Sequence, residues 1–280
     1  MPFLGCAPSD FCARARYRTL PLAMFCMALA VSLRAQVSAS STGGADAAEG
    51  SVEWSLAHLR HPDSKVRAQC AAILLKVGPT ALADILPRLG VQKTRVQLLR
   101  VISDMGPAAS VELVRLTEDP ALGAAAADAL ALVARRDFPA IIPGLAGCVK
   151  KHPELRASCG QALARASGPK ASGSLSAMLP LVSDQDPAIR AYALLALAQI
   201  GPAAGRARPF ALKALGDGVA SVRVAAARLL GSLVRSTAEV RAALKAASED
   251  ADREAALAAR DALKALSKGR AVSARRGGSR

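Results

Sequence analysis

The chain has 280 residues and a formal net charge of +15, and 52% of its residues are hydrophobic although only 3% are aromatic. This composition predicts a core of Ala, Leu and Val packed between helices. No strand-like alternation of apolar and polar residues is present, so the sequence predicts an all-α protein rather than a sandwich or a barrel.

The first 39 residues have the layout of a secretory signal peptide. Three arginines (Arg14, Arg16 and Arg18) precede an apolar run from Leu20 to Leu33, and small residues follow it. An apolar run of 14 residues spans about 21 Å as a helix, less than the roughly 30 Å of a bilayer core, so a cleaved signal is favoured over an uncleaved membrane anchor. Cleavage is expected after Ala39 or before Gln36. We therefore predict export, to the periplasm or the medium, and a flexible linker over 40–53.

A Gly-Pro pair recurs after the linker. It occurs at residues 78, 106, 168 and 201, with spacings of 28, 62 and 33 residues, and 62 is twice 31. The missing copy falls near residue 137, where the chain reads Asp137-Phe138-Pro139. Glycine can end a helix in a left-handed conformation and the following proline cannot continue it, so each pair predicts the end of one helix and the turn into the next. A period of 20–50 residues indicates a stacked repeat protein.

The residues before these pairs share a helical pattern. Twelve residues before three of the glycines stand Val66, Thr94 and Ile189, each followed by arginine. From Ile189 an apolar stripe continues through Tyr192/Ala193 and Ala196/Leu197 to Ile200, and a matching stripe runs from Val66 through Cys70 and Ile73/Leu74 to Val77. This i, i+3, i+4 spacing predicts amphipathic helices that need a neighbour to cover the apolar side.

The segments "DPAIRAYALLALAQIG", "HPDSKVRAQCAAILLKVG" and "GVASVRVAAARLLGSL" resemble the second helix of a short HEAT repeat. The resemblance covers residues 54 to 266 in six fuller copies and a terminal half-copy from Asp252. It implies an α-solenoid, a superhelical stack of helix pairs, over 54–267. The unit at 120–150 lacks the arginine, and the prolines at 87, 143, 180 and 209 keep no constant offset, so the first helices have no predicted bounds.

The resemblance also implies a role for the repeated arginines. In the family this arginine bonds to an aspartate in the loop of the neighbouring repeat, forming a ladder. The predicted structural ladder residues are Arg67, Arg95, Arg156, Arg190 and Arg223.

Cysteine and histidine usage argues against a metal centre. Cleavage of the signal leaves Cys70, Cys148 and Cys159, an odd number that does not suggest a disulfide scaffold. They are interpreted mainly as small core residues, with a Cys148–Cys159 disulfide as the alternative. The three histidines (His58, His61 and His152) have no partners at ligand spacing, so no metal and no cofactor is predicted.

No catalytic motif is recognisable. The sequence contains no nucleophile elbow, phosphate loop or H-E-x-x-H helix, and carboxylates such as Asp184, Asp186 and Asp252 stand where they would cap helices. We predict no enzymatic activity and no small-molecule substrate.

The positive charge suggests an acidic partner. Residues 1–39 carry +3, the predicted disordered tail 268–280 carries +5, and the body carries +7. A basic surface attracts nucleic acid, anionic lipid or an acidic protein, and the tail could contact a membrane. DNA glycosylases and bilin lyases with short HEAT-like repeats are the alternative functions. The first needs aromatic residues beside a catalytic carboxylate and the second is cytoplasmic, so both conflict with this sequence.

The leading interpretation is a scaffold that binds a protein or peptide on a concave face lined by the second helices. Six and ten residues after each repeat start, the predicted binding side chains point away from the apolar stripe. They are Lys76, Arg100, Asp104, Arg136, Gln199 and Arg228. Solvated charges without a partner are the other interpretation of these positions.

Overall fold

The computed structural model describes residues 48–134, 138–233 and 237–277, with side-chain surroundings up to residue 268. The predicted signal peptide, residues 40–47 of the predicted linker and the candidate residue Arg136 lie outside these ranges.

The described residues form fourteen α-helices and no strand, which confirms the all-α prediction. They form seven consecutive pairs, numbered here in chain order. The two helices pack directly against each other in six pairs, and in pair 2 the second helix packs on the 3₁₀ turn Leu86–Gly90 that follows the first. The first helices are α1 (Val52–His58), α3 (Leu82–Ile85), α5 (Pro107–Leu116), α7 (Ile142–Lys151), α9 (Leu175–Met178), α11 (Arg208–Ala214) and α13 (Ala238–Ala247). The second helices are α2 (Ser64–Val77), α4 (Gln92–Asp104), α6 (Gly123–Val133), α8 (Arg156–Ala166), α10 (Pro187–Ile200), α12 (Ala220–Ser232) and α14 (Arg253–Gly277).

Prolines determine where the first helices begin and end. Pro143 and Pro209 stand in the first turn of α7 and α11, where the missing N–H has no helical partner to lose. Pro87 and Pro180 instead begin the 3₁₀ turns Leu86–Gly90 and Leu179–Ser183, which end the first helices of pairs 2 and 5. These two placements explain why the prolines keep no constant offset in the sequence.

Three of the four Gly-Pro pairs use the conformational freedom of glycine. Gly78, Gly106 and Gly201 have φ of 73°, 77° and 74°, values that an L-residue with a side chain rarely adopts. Gly168 differs, because its φ of −174° is ordinary extended backbone. The Gly-Pro pattern therefore marks a helix boundary at all four places. The predicted left-handed helical conformation is found at none of them, because the three glycines with positive φ have ψ between −136° and −155°.

Small residues bring the second helices close together in the later pairs. Ala193 and Ala196 of α10 and Ala226 of α12 are fully buried. A Cβ at Gly231 of α12 would lie 2.8 Å from Ala262 Cα of α14, and a Cβ at Gly160 of α8 would lie 2.9 Å from Tyr192 Cδ2 of α10. Each second helix thus covers the apolar side of its neighbour, as a stacked repeat requires.

The predicted apolar stripe is buried in pair 5 and incomplete in pair 1. Ile189, Ala193, Leu197 and Ile200 are at most 1% exposed. In the first copy Cys70 and Leu74 are buried, but Val77 is 41% exposed, so its placement in the buried stripe is wrong. Val77 is the last residue of α2, but the equivalent Ile200 of α10 is buried, so the position at the helix end does not account for the exposure.

Both ends of the repeat array differ from the predicted bounds. Helix α1 begins at Val52, two residues before the predicted start at 54. The expected half-copy at the other end is a complete pair, because α13 packs against α14 as its first helix. Helix α14 continues to Gly277, so the backbone of 268–277 is helical where a disordered tail was predicted.

Two of the three cysteines form the disulfide that was the alternative prediction, and the third is a free core residue as the main prediction had it. Cys148 of α7 and Cys159 of α8 form a disulfide, and both are at most 1% exposed. Cys70 is free and buried, as expected of a small core residue, and burial raises the pKa of its thiol. The disulfide joins the two helices of pair 4, in the middle of the array.

One described stretch, Ser64–Gly90, is long and apolar enough to cross a membrane by length and composition, with a hydropathy of 1.5 over its best window. It is not one continuous helix, because Gly78 ends α2 within it and Pro79 begins a 3₁₀ turn. Its apolar residues Cys70, Leu74, Leu82 and Ile85 are fully buried against the rest of the stack. About a third of the window is buried, and Leu75 and Val77 within the stretch are 38% and 41% exposed.

Candidate interaction face

The outward sides of the second helices form a series that we call the second-helix face. Five of the six predicted binding residues are exposed on it: Lys76 on α2, Arg100 and Asp104 on α4, Gln199 on α10, and Arg228 on α12. They are spread over pairs 1, 2, 5 and 6 rather than gathered in one site. A role in binding stays a prediction for all of them.

Arg228 faces carboxylates, so the face is not uniformly basic. It lines a groove of about 280 Å³ between α12 and α14, together with Glu254 and Asp261. The floor is formed by Gly231, Ala258 and Ala262, and Leu257 stands at the rim with 55% of its surface exposed. The carboxylates offset the charge of Arg228, so it is not equivalent to Arg100 as the sequence suggested.

A second groove of about 250 Å³ lies between α4 and α6. Arg95 and Leu99 of α4 face Asp128 and Leu132 of α6 across a floor that includes Ala125 and Ala129. Both grooves are smaller than the roughly 300–1,000 Å³ typical of small-molecule sites, so they fit single side chains of a partner better than a free ligand.

Exposed apolar side chains on this face were missed by the sequence reasoning. Val96 on α4 is 75% exposed and Leu257 on α14 is 55% exposed. Each stands two residues after the start of its repeat, which is Thr94 for Val96 and Ala255 for Leu257. Three other copies carry alanine at this offset. A large apolar residue at this offset does not by itself indicate exposure, because Val224 at the same offset in α12 is 8% exposed.

The arginine ladder exists in the later half of the array. Arg190 Nε and Nη2 each lie 2.8 Å from a carboxylate oxygen of Asp217, and Arg223 binds Asp250 in the same two-pronged way at 2.7 and 2.8 Å. Arg156 donates to Asp184. These bonds follow the predicted pattern, in which an arginine reaches the loop of the next helix pair. The Arg190–Asp217 and Arg223–Asp250 ion pairs are shielded from water, because their four side chains are only 11–19% exposed.

The ladder also organises the loops that it joins. Arg190 Nη1 donates to the carbonyls of Asp184 and Gln185 in the loop before its own helix. In the loop of the next pair, Asp217 Oδ1 accepts a hydrogen bond from the Val219 N–H. The guanidinium of Arg190 holds the pKa of Asp217 below its ordinary value, and that of Arg223 does the same for Asp250. These residues are structural, as the sequence predicted.

The early half of the array has the arginines without the ladder carboxylates. Each ladder aspartate stands six residues before the repeat arginine position of its own pair, and pairs 2, 3 and 4 carry Leu89, Ala121 and Lys150 there. Arg67 instead donates to the carbonyls of His61 and Pro62 at 2.7 and 2.8 Å. Arg95 lines the groove between α4 and α6. The ladder prediction is therefore wrong for Arg67 and Arg95.

The histidines and other carboxylates have local structural roles. His58 stacks on Trp54 with ring centroids 4.6 Å apart, and His61 lies beside it. Asp186 and Asp252 accept hydrogen bonds from N–H groups at the start of α10 and α14, which confirms the capping prediction for these two. Asp184 is instead a ladder acceptor, and Asp63, which was not predicted, caps α2. Within the described ranges no three His, Cys, Asp or Glu side chains cluster as a metal site would need.

Comparison with known families agrees with this architecture. A family model for HEAT repeats matches residues 175–264. These residues are thus similar to HEAT repeats. The matched segment starts at the first residue of α9 and ends within α14, so it contains the Arg190–Asp217 and Arg223–Asp250 ion pairs, whereas Arg156 lies before it.

No curated protein matches the chain. Similar solved structures include a designed armadillo repeat protein, 18% identical, covering 77% of this chain and 100% of that chain with a TM-score of 0.49. A designed armadillo repeat protein in complex with a (KR)4 peptide is 19% identical, covering 76% of this chain and 98% of that chain with a TM-score of 0.47. Human deoxyhypusine hydroxylase is 17% identical, covering 78% and 96% with a TM-score of 0.33.

Proposed function

We propose that this protein is an exported, non-enzymatic HEAT-repeat scaffold that binds another protein or a peptide along its second-helix face. The observation that carries the proposal is the uninterrupted series of second helices in seven pairs, with grooves between neighbours and exposed apolar side chains on the outward side. Grooves of side-chain size on one series of helices suit an extended polypeptide, which can place a side chain in each.

The alternative functions gain no support from the site. The aromatic residues of the described chain are distributed over pairs 1, 4, 5 and 6, as Trp54, Phe138, Tyr192 and Phe210. Trp54 is already stacked on His58. A glycosylase-like site would need such residues together, beside a carboxylate, to hold an unstacked base.

Two observations support export. The leader-like sequence of residues 1–39 is one, and the buried Cys148–Cys159 disulfide is the other. Disulfides persist in oxidising compartments and are rare in the cytosol. Mass spectrometry of the natively expressed protein should show an N-terminus near Gln36 or Ser40. An intact Met1 in a soluble cytoplasmic pool would refute export.

Site-specific photo-crosslinking tests the binding face. A photoreactive amino acid at Gln199 or Arg228 should crosslink to one polypeptide of defined mass in cells. The matched control is Arg115 on first helix α5, whose side chain is 72% exposed. Crosslinks to the same polypeptide from Arg115, and none from the second helices, would place the interface elsewhere.

A further inference from the structure

We propose that the part of the second-helix face formed by α2 and α4 is the docking site for an acidic polypeptide segment that carries a large apolar side chain. This rests on the proposed function, and it specifies both the chemistry of the partner and the end of the array that holds it. We call this surface the basic patch and define it by Lys65, Lys76, Lys93, Arg95 and Arg100, with Val96 among them.

Charge on these two helices is nearly all of one sign. Together α2 and α4 carry six basic residues and one carboxylate, Asp104, which is a net +5. Lys65, Lys76, Lys93 and Arg100 are exposed, and Arg95 is half-buried. A cluster of like charges on one surface raises the local concentration of an oppositely charged partner and speeds its association.

The ladder that neutralises the repeat arginines of the later pairs does not extend to this patch. In the later pairs a loop aspartate neutralises each repeat arginine, for example Asp217 bound to Arg190. Within the described residues Arg95 makes no such bond. Ala121 stands at the ladder offset in the next loop, and Asp119 of that loop accepts hydrogen bonds from the Ala121 and Leu122 N–H groups instead. Arg95 shares its groove with the Asp128 carboxylate, so the net charge of the basic patch comes from the exposed Lys65, Lys76, Lys93 and Arg100.

The apolar part of the partner follows from the groove beside the patch. Val96 is 75% exposed, and Leu99 and Leu132 line the groove of about 250 Å³ between α4 and α6. Asp128 on the α6 wall accepts a hydrogen bond from the Ser158 hydroxyl at 2.6 Å. One Leu, Met or Phe side chain of a partner would fill such a groove, while acidic residues on either side meet the lysines and arginines.

A polypeptide fits this surface better than a nucleic acid. Neither α2 nor α4 contains an aromatic residue on which a base could stack. Contacts to phosphates alone need no aromatic residues, so duplex DNA belongs among the test ligands. Anionic lipid vesicles are a third ligand, because they share the negative charge but present no side chain to the groove.

The test measures binding of a labelled synthetic peptide of Glu with one central Leu to the full mature chain, at low and at physiological ionic strength. The charge-reversal variant Lys93→Glu/Arg100→Glu should bind this peptide about tenfold or more weakly. Arg165→Glu, on the same face at the end of α8, is the matched control and should bind like the wild type. Replacing the central Leu by Ser should also weaken binding, because the groove is then left unfilled.

A gain-of-charge variant tests the contribution of surface charge directly. Ala121→Asp places a carboxylate at the offset where the later loops carry a ladder aspartate. It should both weaken peptide binding and raise the melting temperature. Circular dichroism verifies that each variant folds. Three results would each overturn this proposal. The first is equal affinity for a Lys-based peptide, and the second is an unchanged Kd for the acidic peptide in the double-reversal variant. The third is binding of duplex DNA or phosphatidylglycerol vesicles that is tighter than peptide binding and depends equally on the basic patch. If the second helices still crosslink to a partner after the double reversal, the proposed function stands and only the assignment of the patch fails.

Discussion

The ladder in the later half of the array predicts a specific sensitivity at Asp217. Asp217→Asn preserves the shape of the side chain and the oxygen that accepts from the Val219 N–H at 3.0 Å. It removes the negative charge and one of the two 2.8 Å bonds from Arg190, because an amide nitrogen cannot accept a hydrogen bond. Asp217→Ala removes both bonds and the capping bond.

The magnitude follows from the exposure of the pair. A hydrogen bond to a charged group contributes about 1.5–3 kcal/mol. Because Arg190 and Asp217 are still 19% and 14% exposed, the lower end applies. We expect the Asn variant to lose about 1.5 kcal/mol and the Ala variant about 3 kcal/mol. For a domain of this size these losses lower Tm by roughly 3–6 °C and 6–12 °C.

The assay is thermal unfolding by circular dichroism, with hydrogen exchange to locate the effect. Because repeat arrays open in units, faster exchange should concentrate in α10 and α12, the helices whose loops the pair joins. Asp84→Asn, an exposed carboxylate on α3, is the control and should stay within about 0.5 kcal/mol of the wild type. If Asp217→Asn were no more destabilising than Asp84→Asn, the ladder would not stabilise the array.

Four further predictions concern stability. The pKa values of Asp217 and Asp250 are lowered below 3.8 in the folded protein. The two carboxylates therefore stabilise the fold fully above about pH 4, and this stabilisation is lost as the pH falls through their folded-state pKa values. The variant Asp217→Asn/Asp250→Asn should show a smaller loss of Tm on acidification than the wild type. Leu197→Ala, at a fully buried position, should cost about 2–5 kcal/mol and speed exchange in α8 and α12 as well as α10; a wild-type melting curve would contradict the buried stripe. Gly231→Ala should destabilise the fold by about 1–3 kcal/mol, because the new Cβ would lie 2.8 Å from Ala262 Cα. Gly147→Ala in α7 places its Cβ in open space and should stabilise the fold by up to about 1 kcal/mol. Equal Tm changes in the two variants would exclude the close contact between α12 and α14. Cys148→Ala/Cys159→Ala should lower stability by about 2–3 kcal/mol in chemical denaturation, as expected for a bridge across 11 residues, and an unchanged denaturation midpoint would argue against the bridge.

The sequence by itself determined the class of fold and the second helices. The stripe from Ile189 to Ile200 and the repeated arginine are local patterns with a period of 3.6 residues, so they can be read from one segment at a time. The capping aspartates are local in the same sense, since Asp186 and Asp252 bond to N–H groups two and three residues away. For the same reason the first helices were not predictable, because short α and 3₁₀ turns joined by prolines leave too few residues for a period to appear.

The tertiary structure decided what depends on residues in different repeats. Cys148 and Cys159 form a bond only because α7 and α8 pack together, whereas their number in the chain favoured free thiols. Arg67 and Arg190 look alike in their own repeats, yet only Arg190 has a carboxylate in the next loop. Arg100 and Arg228 likewise share an offset, but the helix that follows α12 supplies Glu254 and Asp261 beside Arg228. Electrostatic and packing partners lie about one repeat away in a solenoid, so the environment of a side chain is set by its neighbouring repeats as much as by its own.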